Sequence, residues 1–165
     1  MNSDARSTIG ASARAPALVL GIAGLLPFLG LCAVLFFWPH PYHGMVYRAL
    51  TAYGAVILAF VGALQWGMSL REARASRAEA WISLVSGVVP ALLAWAAIML
   101  PSAIGLRLLA ASFVACLAMD LRFASRHEVP PWYFRLRAGL TAAVVACLLG
   151  ASLAPLPYPV TQIRT

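Results

Sequence analysis

The chain has 165 residues, 62% of them hydrophobic and only 10% charged, with a formal net charge of +7. Soluble domains carry about 25% charged residues, so this composition excludes a water-soluble globule. All 12 basic residues are arginine, against 5 acids, and all but Arg107 lie in the tails and short spacers outside the apolar runs. Nucleic-acid binding needs basic charge gathered on a folded polar face, so no nucleic-acid partner is expected and the arginines read as topology signals.

Residues 1–16 read as a cytoplasmic N-terminal tail holding Arg6 and Arg14. The first apolar run, Ala17–Trp38, is longer than the roughly 7–15 residues of a signal-peptide core and ends in Phe36-Phe37-Trp38-Pro39, not in a small-residue cleavage site. It reads as a retained signal anchor. Four more runs follow: Ala49–Leu70, Trp81–Leu100, Ser102–Met119 and Ala138–Ala154. A hydrocarbon core of about 30 Å takes roughly 17–25 helical residues, so each run is long enough to cross. The expected fold is all-α, a single five-helix transmembrane domain over residues 17–154. The proline-rich stretch in residues 155–165 reads as an extended C-terminal tail.

Cytoplasmic loops hold the excess of positive charge. The N-terminal tail and the second and fourth connections hold nine arginines, and the opposite side holds Arg48, Arg107 and Arg164. Nine against three predicts a cytoplasmic N-terminus and an outside C-terminus. The third connection is little more than Pro101-Ser102 and predicts a tight helical hairpin. The fourth, Asp120–Arg137, predicts a segment along the inner surface, with Pro131, Trp132 and Tyr133 in the interface and Arg135 and Arg137 near anionic headgroups.

Thr51, Ala55, Ala59, Ala63 and Gly67 recur every four residues, a small-residue ridge of the kind that lets helices approach closely in lipid. It points to packing inside the bundle, or to a contact with another membrane protein or a second copy. Gln65 lies on the opposite face. It sits five residues before the end of its run, as Ser86 sits five after the start of the next, so the two share a depth and are expected to hydrogen-bond. Pro90 cannot donate to the Ser86 carbonyl, which leaves Ser83, Ser86 and Pro90 as a polar stripe. With Trp66, Asp120 and Thr141 these residues form a candidate polar cluster in the cytoplasmic half. It reads either as helix-to-helix bonding or as a ligand site.

His40 and His43 are weak metal candidates, since they sit in an outer loop with no Cys or carboxylate beside them. Cys32, Cys116 and Cys147 form no C-x-x-C pair and read as small core residues. The chain holds no nucleotide, dinucleotide or metalloprotease fingerprint, so no cofactor, metal or catalytic assignment follows.

The stretch Tyr53-Gly54-Ala55-Val56-Ile57-Leu58 leading to Gln65-Trp66-Gly67, then Val89-Pro90-Ala91-Leu92-Leu93-Ala94-Trp95, Asp120, and Pro131-Trp132-Tyr133 with Leu136-Arg137 and Leu140-Thr141 resemble a family of bacterial integral-membrane proteins of unknown function, similar to mitochondrial transmembrane protein 69. The resemblance covers roughly residues 16–155. It implies a small multi-pass protein of a bacterial inner or a mitochondrial membrane and carries no activity. The absence of lysine beside abundant alanine and arginine suits a GC-rich bacterium, so a bacterial inner membrane is expected. Three functions stay open: a structural or assembly role, a small-solute transporter or channel, and a lipid- or quinone-binding enzyme acting through the polar cluster. The topology has a direct test: a C-terminal reporter active only outside the cytoplasm is expected to give signal, and a cytoplasm-only reporter to stay silent.

Overall fold

The computed structural model describes residues 3–38, 43–69, 77–124 and 131–154. These form α1 (Ser3–Phe37), α2 (His43–Ser69), α3 (Arg77–Met99), α4 (Ser102–Ala124) and α5 (Pro131–Leu153), with no strand among the described residues. Each helix begins at or before its apolar run, α1 as early as Ser3 within the stretch expected as an N-terminal tail, and ends within one residue of it, except α4, which continues past Met119 to Ala124. Hydropathy marks where lipid ends, whereas a helix runs on until its backbone bonding is interrupted. Leu121 to Ala124 contain neither glycine nor proline, so α4 continues past Met119. Pro131, whose missing N–H is harmless in a first turn, opens α5 well before Ala138. The surface segment expected over Asp120–Arg137 is therefore helical at both ends. The C-terminal tail, residues 155–165, lies outside the described residues.

Four helices hold stretches long and apolar enough to cross a bilayer, namely Arg14–Phe37, His43–Leu64, Ser102–Arg122 and Trp132–Leu153, and α3 holds a shorter one, Leu84–Met99. The packing follows the same division. α1, α2, α4 and α5 close on one another in a ring, α1 against both α2 and α5, and α4 against both α2 and α5. α3 lies outside that ring, against α2 and α4. The centre of the ring is aromatic and aliphatic. Phe28 meets Tyr53 edge-on at 5.0 Å and Phe113 at 6.5 Å, and Leu58, Leu106, Leu109 and Leu148 are fully buried. Gly54 sits where a Cβ would lie 3.1 Å from Leu109 and 3.7 Å from Phe28, so its bare backbone makes room for the ring's core.

In hydrocarbon a backbone carbonyl without a partner costs several kcal/mol, and the last carbonyls of a helix have no partner within it. The hydroxyl of Tyr47 on α2 reaches across to α5, 3.0 Å from the Ala151 carbonyl and 3.1 Å from that of Ala154. Tyr53 donates to the Gly24 carbonyl at 2.9 Å, next to the Ala23 carbonyl that Pro27 cannot serve.

α3 joins the ring through a face of small residues, Ser86, Gly87, Pro90, Ala94 and Ala97, all buried. A Cβ on Gly62 of α2 would lie 2.5 Å from the Gly87 carbonyl oxygen and 3.2 Å from Pro90. At the hairpin the amides of Ile104 and Gly105 both donate to the Pro101 carbonyl at 2.9 Å, and a Cβ on Gly105 would run into the Ala97 carbonyl. Gly62→Ala and Gly105→Ala are therefore each expected to destabilise the protein by about 1–3 kcal/mol in detergent unfolding. Gly30→Ala, with nothing near its Cβ, is expected to be neutral or to stabilise by up to about 1 kcal/mol.

Candidate functional site

The bundle end that carries the N-termini of α3 and α5 and the C-termini of α2 and α4 holds Arg77, Arg122, Arg135 and Arg137, and is here termed the Arg-rich end. The predicted polar cluster belongs to this end, and the structure divides it. Ser86 and Pro90 lie on α3, buried, facing α2 and α4. Asp120 and Thr141 lie at the contact between α4 and α5. The side chains of Gln65, Trp66 and Ser83 lie outside the described residues, and with them the expected Gln65–Ser86 hydrogen bond.

At the α4–α5 contact Arg137 Nε donates to Asp120 Oδ2 at 3.0 Å, with side chains only 12% and 9% exposed. Asp120 precedes the end of α4 by one turn and Arg137 follows the start of α5 by nearly two, so the antiparallel pair brings the charges level. The contact is made through Nε, and it leaves Arg137 Nη2 and Thr141 Oγ1 buried without a hydrogen-bond partner among the described residues. Arg137 and Thr141 are four apart and share a face of α5. Cys116 and Tyr133 lie within electrostatic range of both charges.

On the other flank of α4 a groove of about 450 Å³ runs between α3 and α4, lined by Trp81, Val85, Val89 and Leu93 on one side and Ser112 and Met119 on the other. Trp81, Val85 and Val89 are 66%, 49% and 42% exposed, so the groove opens sideways, away from the ring. Its wall is chemically apolar: Ser112 donates its proton to the Leu108 carbonyl at 2.8 Å, and Ser86 is also partnered. The groove has a geometric origin. The hairpin is shut at Ala97 and Gly105, after which Gly62 lets α3 lie against α2 while the Asp120–Arg137 pair holds α4 against α5. The groove lies between two helices that each pack on another neighbour, α3 on α2 and α4 on α5.

The other predicted residues fall as follows. In the small-residue ridge, Thr51 and Ala55 are buried, Ala59 is half-buried and Ala63 is exposed, while the Gly67 environment lies outside the described residues. Gly54, Leu58 and Val61, on the other face, are buried as well, because α2 has neighbours on both sides. Thr51 donates to the Tyr47 carbonyl at 2.9 Å. Pro131 is the first residue of α5, and Trp132 and Tyr133 are partly buried with rings edge-on at 6.2 Å. Arg135 is exposed, whereas Arg137 turns inward to Asp120 and not to the surface where a headgroup contact was expected. His40 lies outside the described residues, and His43 is the buried first residue of α2, its Nε2 3.2 Å from the Trp38 carbonyl. Among the described residues no group of three or more His, Cys, Asp or Glu comes together. Cys32 donates to the Cys147 carbonyl at 3.4 Å, joining α1 to α5. At the opposite end Arg107 Nε lies 3.4 Å from Ser152 Oγ.

Three contributors escape a reading by hydropathy. Arg137 looks like a loop residue until α5 is started at Pro131. Ser112 is hidden inside an apolar run, and Tyr47 lies before the run that it serves. Extending helices through Pro131 and His43 is the signal that would have placed Arg137 and Tyr47, while Ser112 carries none.

Five helices with an apolar exterior and arginine concentrated at one end define a multi-pass helical membrane protein. Residues 13–153, which include nearly all of the five helices, match the family DUF3429, described as protein of unknown function, and the chain belongs to it. It is 35% identical to Transmembrane protein 69 of Xenopus tropicalis over 144 residues, 87% of this chain and 56% of that protein. It is 30% identical to Transmembrane protein 69 of Mus musculus over 128 residues, 74% of this chain and 49% of that protein. The chain spans about half the length of these relatives. No solved structure matches it.

Removing one partner of a buried ion pair strands the other and typically costs about 3–5 kcal/mol. Asp120→Leu and Arg137→Leu are each expected to destabilise by about that much. The double variant is expected to lose clearly less than the two combined, as read by a double-mutant unfolding cycle in detergent.

Proposed function

We propose that the protein is a structural or assembly component of a bacterial inner membrane, acting through contacts in the plane of the bilayer. The observation that carries this reading is the way the inner polar groups are used. Tyr47 and Tyr53 direct their hydroxyls to carbonyls of neighbouring helices, Thr51, Ser112 and Ser152 direct theirs to carbonyls of their own helices, and Asp120 is held by Arg137. The cross-helix contacts hold helices together and the intrahelical ones leave those hydroxyls engaged, whereas ion-coupled transport places ionisable residues along a pathway within the membrane. Among the described residues the ion pair lies at one end and the Arg107–Ser152 contact at the other, with an aromatic and aliphatic core between.

The proposed topology has five spans, a cytoplasmic N-terminus and an outside C-terminus, with the Arg-rich end in the cytoplasm. Two features support it. The arginines divide nine to three between alternate connections. In addition α3, although its apolar stretch is the shorter, has 23 residues like α4 and α5, about 34 Å at 1.5 Å per residue. Binding of a lipid or quinone is a second reading, favoured by the lateral groove between α3 and α4.

Mild-detergent purification of the full chain from its own membrane separates these functions. A stoichiometric protein partner or a defined homo-oligomer is the expected result. A monomer without partners, retaining a quinone or conducting a solute in proteoliposomes, would overturn the assembly reading.

A further inference from the structure

We infer that the contact between α4 and α5 is a binding site for one water molecule, which bridges Arg137 Nη2 and Thr141 Oγ1 beside the Asp120–Arg137 pair. This concerns how the two helices are joined and does not rest on the assembly role. Five serine and threonine side chains are buried among the described residues: Thr51, Ser86, Ser112, Thr141 and Ser152. Thr51, Ser112 and Ser152 donate to carbonyls three or four residues back at 2.8–2.9 Å, the common outlet for a hydroxyl within a helix. Ser86 is engaged as well. Thr141 breaks the pattern: it is 3% exposed and its Oγ1 has no partner among the described residues, although the Arg137 carbonyl lies four residues back on the same helix. Arg137 Nη2 is likewise buried without a partner among the described residues. A buried donor or hydroxyl left unbonded costs its whole desolvation, and here two such groups occupy one face of α5, one turn apart.

The donor set selects the occupant. A guanidinium N–H only donates, whereas a hydroxyl donates and accepts, so the bridging atom must accept from Arg137 and can exchange either way with Thr141. A water oxygen does both. Four residues rise about 6 Å along a helix, and one oxygen bonded at about 2.7–3.2 Å on each side covers that span. The antiparallel register that sets Asp120 level with Arg137 also sets Cys116, one turn earlier on α4, level with Thr141. Cys116 is buried and feels both charges of the pair, so its sulfur is a weak third partner, and buried waters typically make about three bonds. An anion has little to draw it, because Asp120 already balances Arg137 at 3.0 Å. A larger ligand is excluded by burial: α1 closes on the adjoining face of α5, where a Cβ on Gly21 would lie 2.8 Å from Leu140. The water extends the joint between α4 and α5 from the charges one turn further into the bundle.

Electron cryomicroscopy of the full chain in nanodiscs, bound to a rigid antibody fragment and taken to about 2 Å, tests the site directly. One isolated peak is expected within about 2.6–3.2 Å of both Arg137 Nη2 and Thr141 Oγ1. Unfolding in detergent supplies a second readout whose sign decides. Thr141→Val keeps the shape and removes the hydroxyl, and is expected to lower the midpoint by about 2–4 °C, whereas deleting a hydroxyl that bonds nothing would raise it. Thr141→Ser is expected to keep the peak and most of the stability. Arg137→Lys keeps a cation for Asp120 and removes Nη2, and in that background Thr141→Val is expected to cost little more, since both changes break the same bridge. A Thr141 hydroxyl bonded to the Arg137 carbonyl with no peak beside it would overturn the proposal. So would continuous density of a side chain or lipid joining the two groups, an unchanged or raised midpoint in Thr141→Val, or full additivity with Arg137→Lys. The density of the unaltered protein decides the matter even where a variant fails to fold.

Discussion

Asp120 and Arg137 join α4 to α5 at the Arg-rich end of the bundle, on the flank of α4 away from the groove it shares with α3. Near the Pro101 turn α4 has a close neighbour on its α3 side, because Gly105 lies against the Ala97 carbonyl. Further along, α3 also lies close against α2, where Gly62 meets Gly87 and Pro90. Apolar packing in lipid gives little preference for one helix pair over another, since lipid tails match leucine as partners. A charge-assisted contact at 3.0 Å with both side chains about nine-tenths buried is directional and does set a preference. α4 is thereby fixed against α5 within the ring of α1, α2, α4 and α5, with α3 outside it.

The same economy governs the uncharged polar groups. The Tyr47 phenol serves the last carbonyls of α5, the Tyr53 phenol serves a carbonyl beside the proline in α1, and Ser112 and Thr51 bond back along their own helices. Each contact meets a backbone or side-chain demand that lipid cannot meet. A bundle of this kind has its polar chemistry turned inward and its specificity in shape, which favours a role in the plane of the membrane over one across it.

Hydropathy made the all-α membrane fold legible, and the two-residue connection at Pro101-Ser102 made the hairpin so. Helix ends were legible only in part, since hydropathy reports the lipid boundary and not the last backbone hydrogen bond. That is why Arg137 read as a surface residue although it lies inside α5. The small residues of α2 were visible as a four-residue repeat, yet the closest approach to α3 uses Gly62, off that repeat, against a small face of α3 that period-four counting on one helix does not reveal. The groove was not legible at all, because it arises from how two helices are placed against each other and neither sequence contains it.

The role of the ion pair as the tether of α4 is measured most directly by electron-spin distances in nanodiscs between labels at Ile82 and Ala118, near the open end of the hairpin, with the native cysteines replaced. The unaltered pair is expected to give one narrow, long distance, and Arg137→Leu a shorter or broader distribution as α4 relaxes towards α3. An identical distribution in both proteins would contradict the tether.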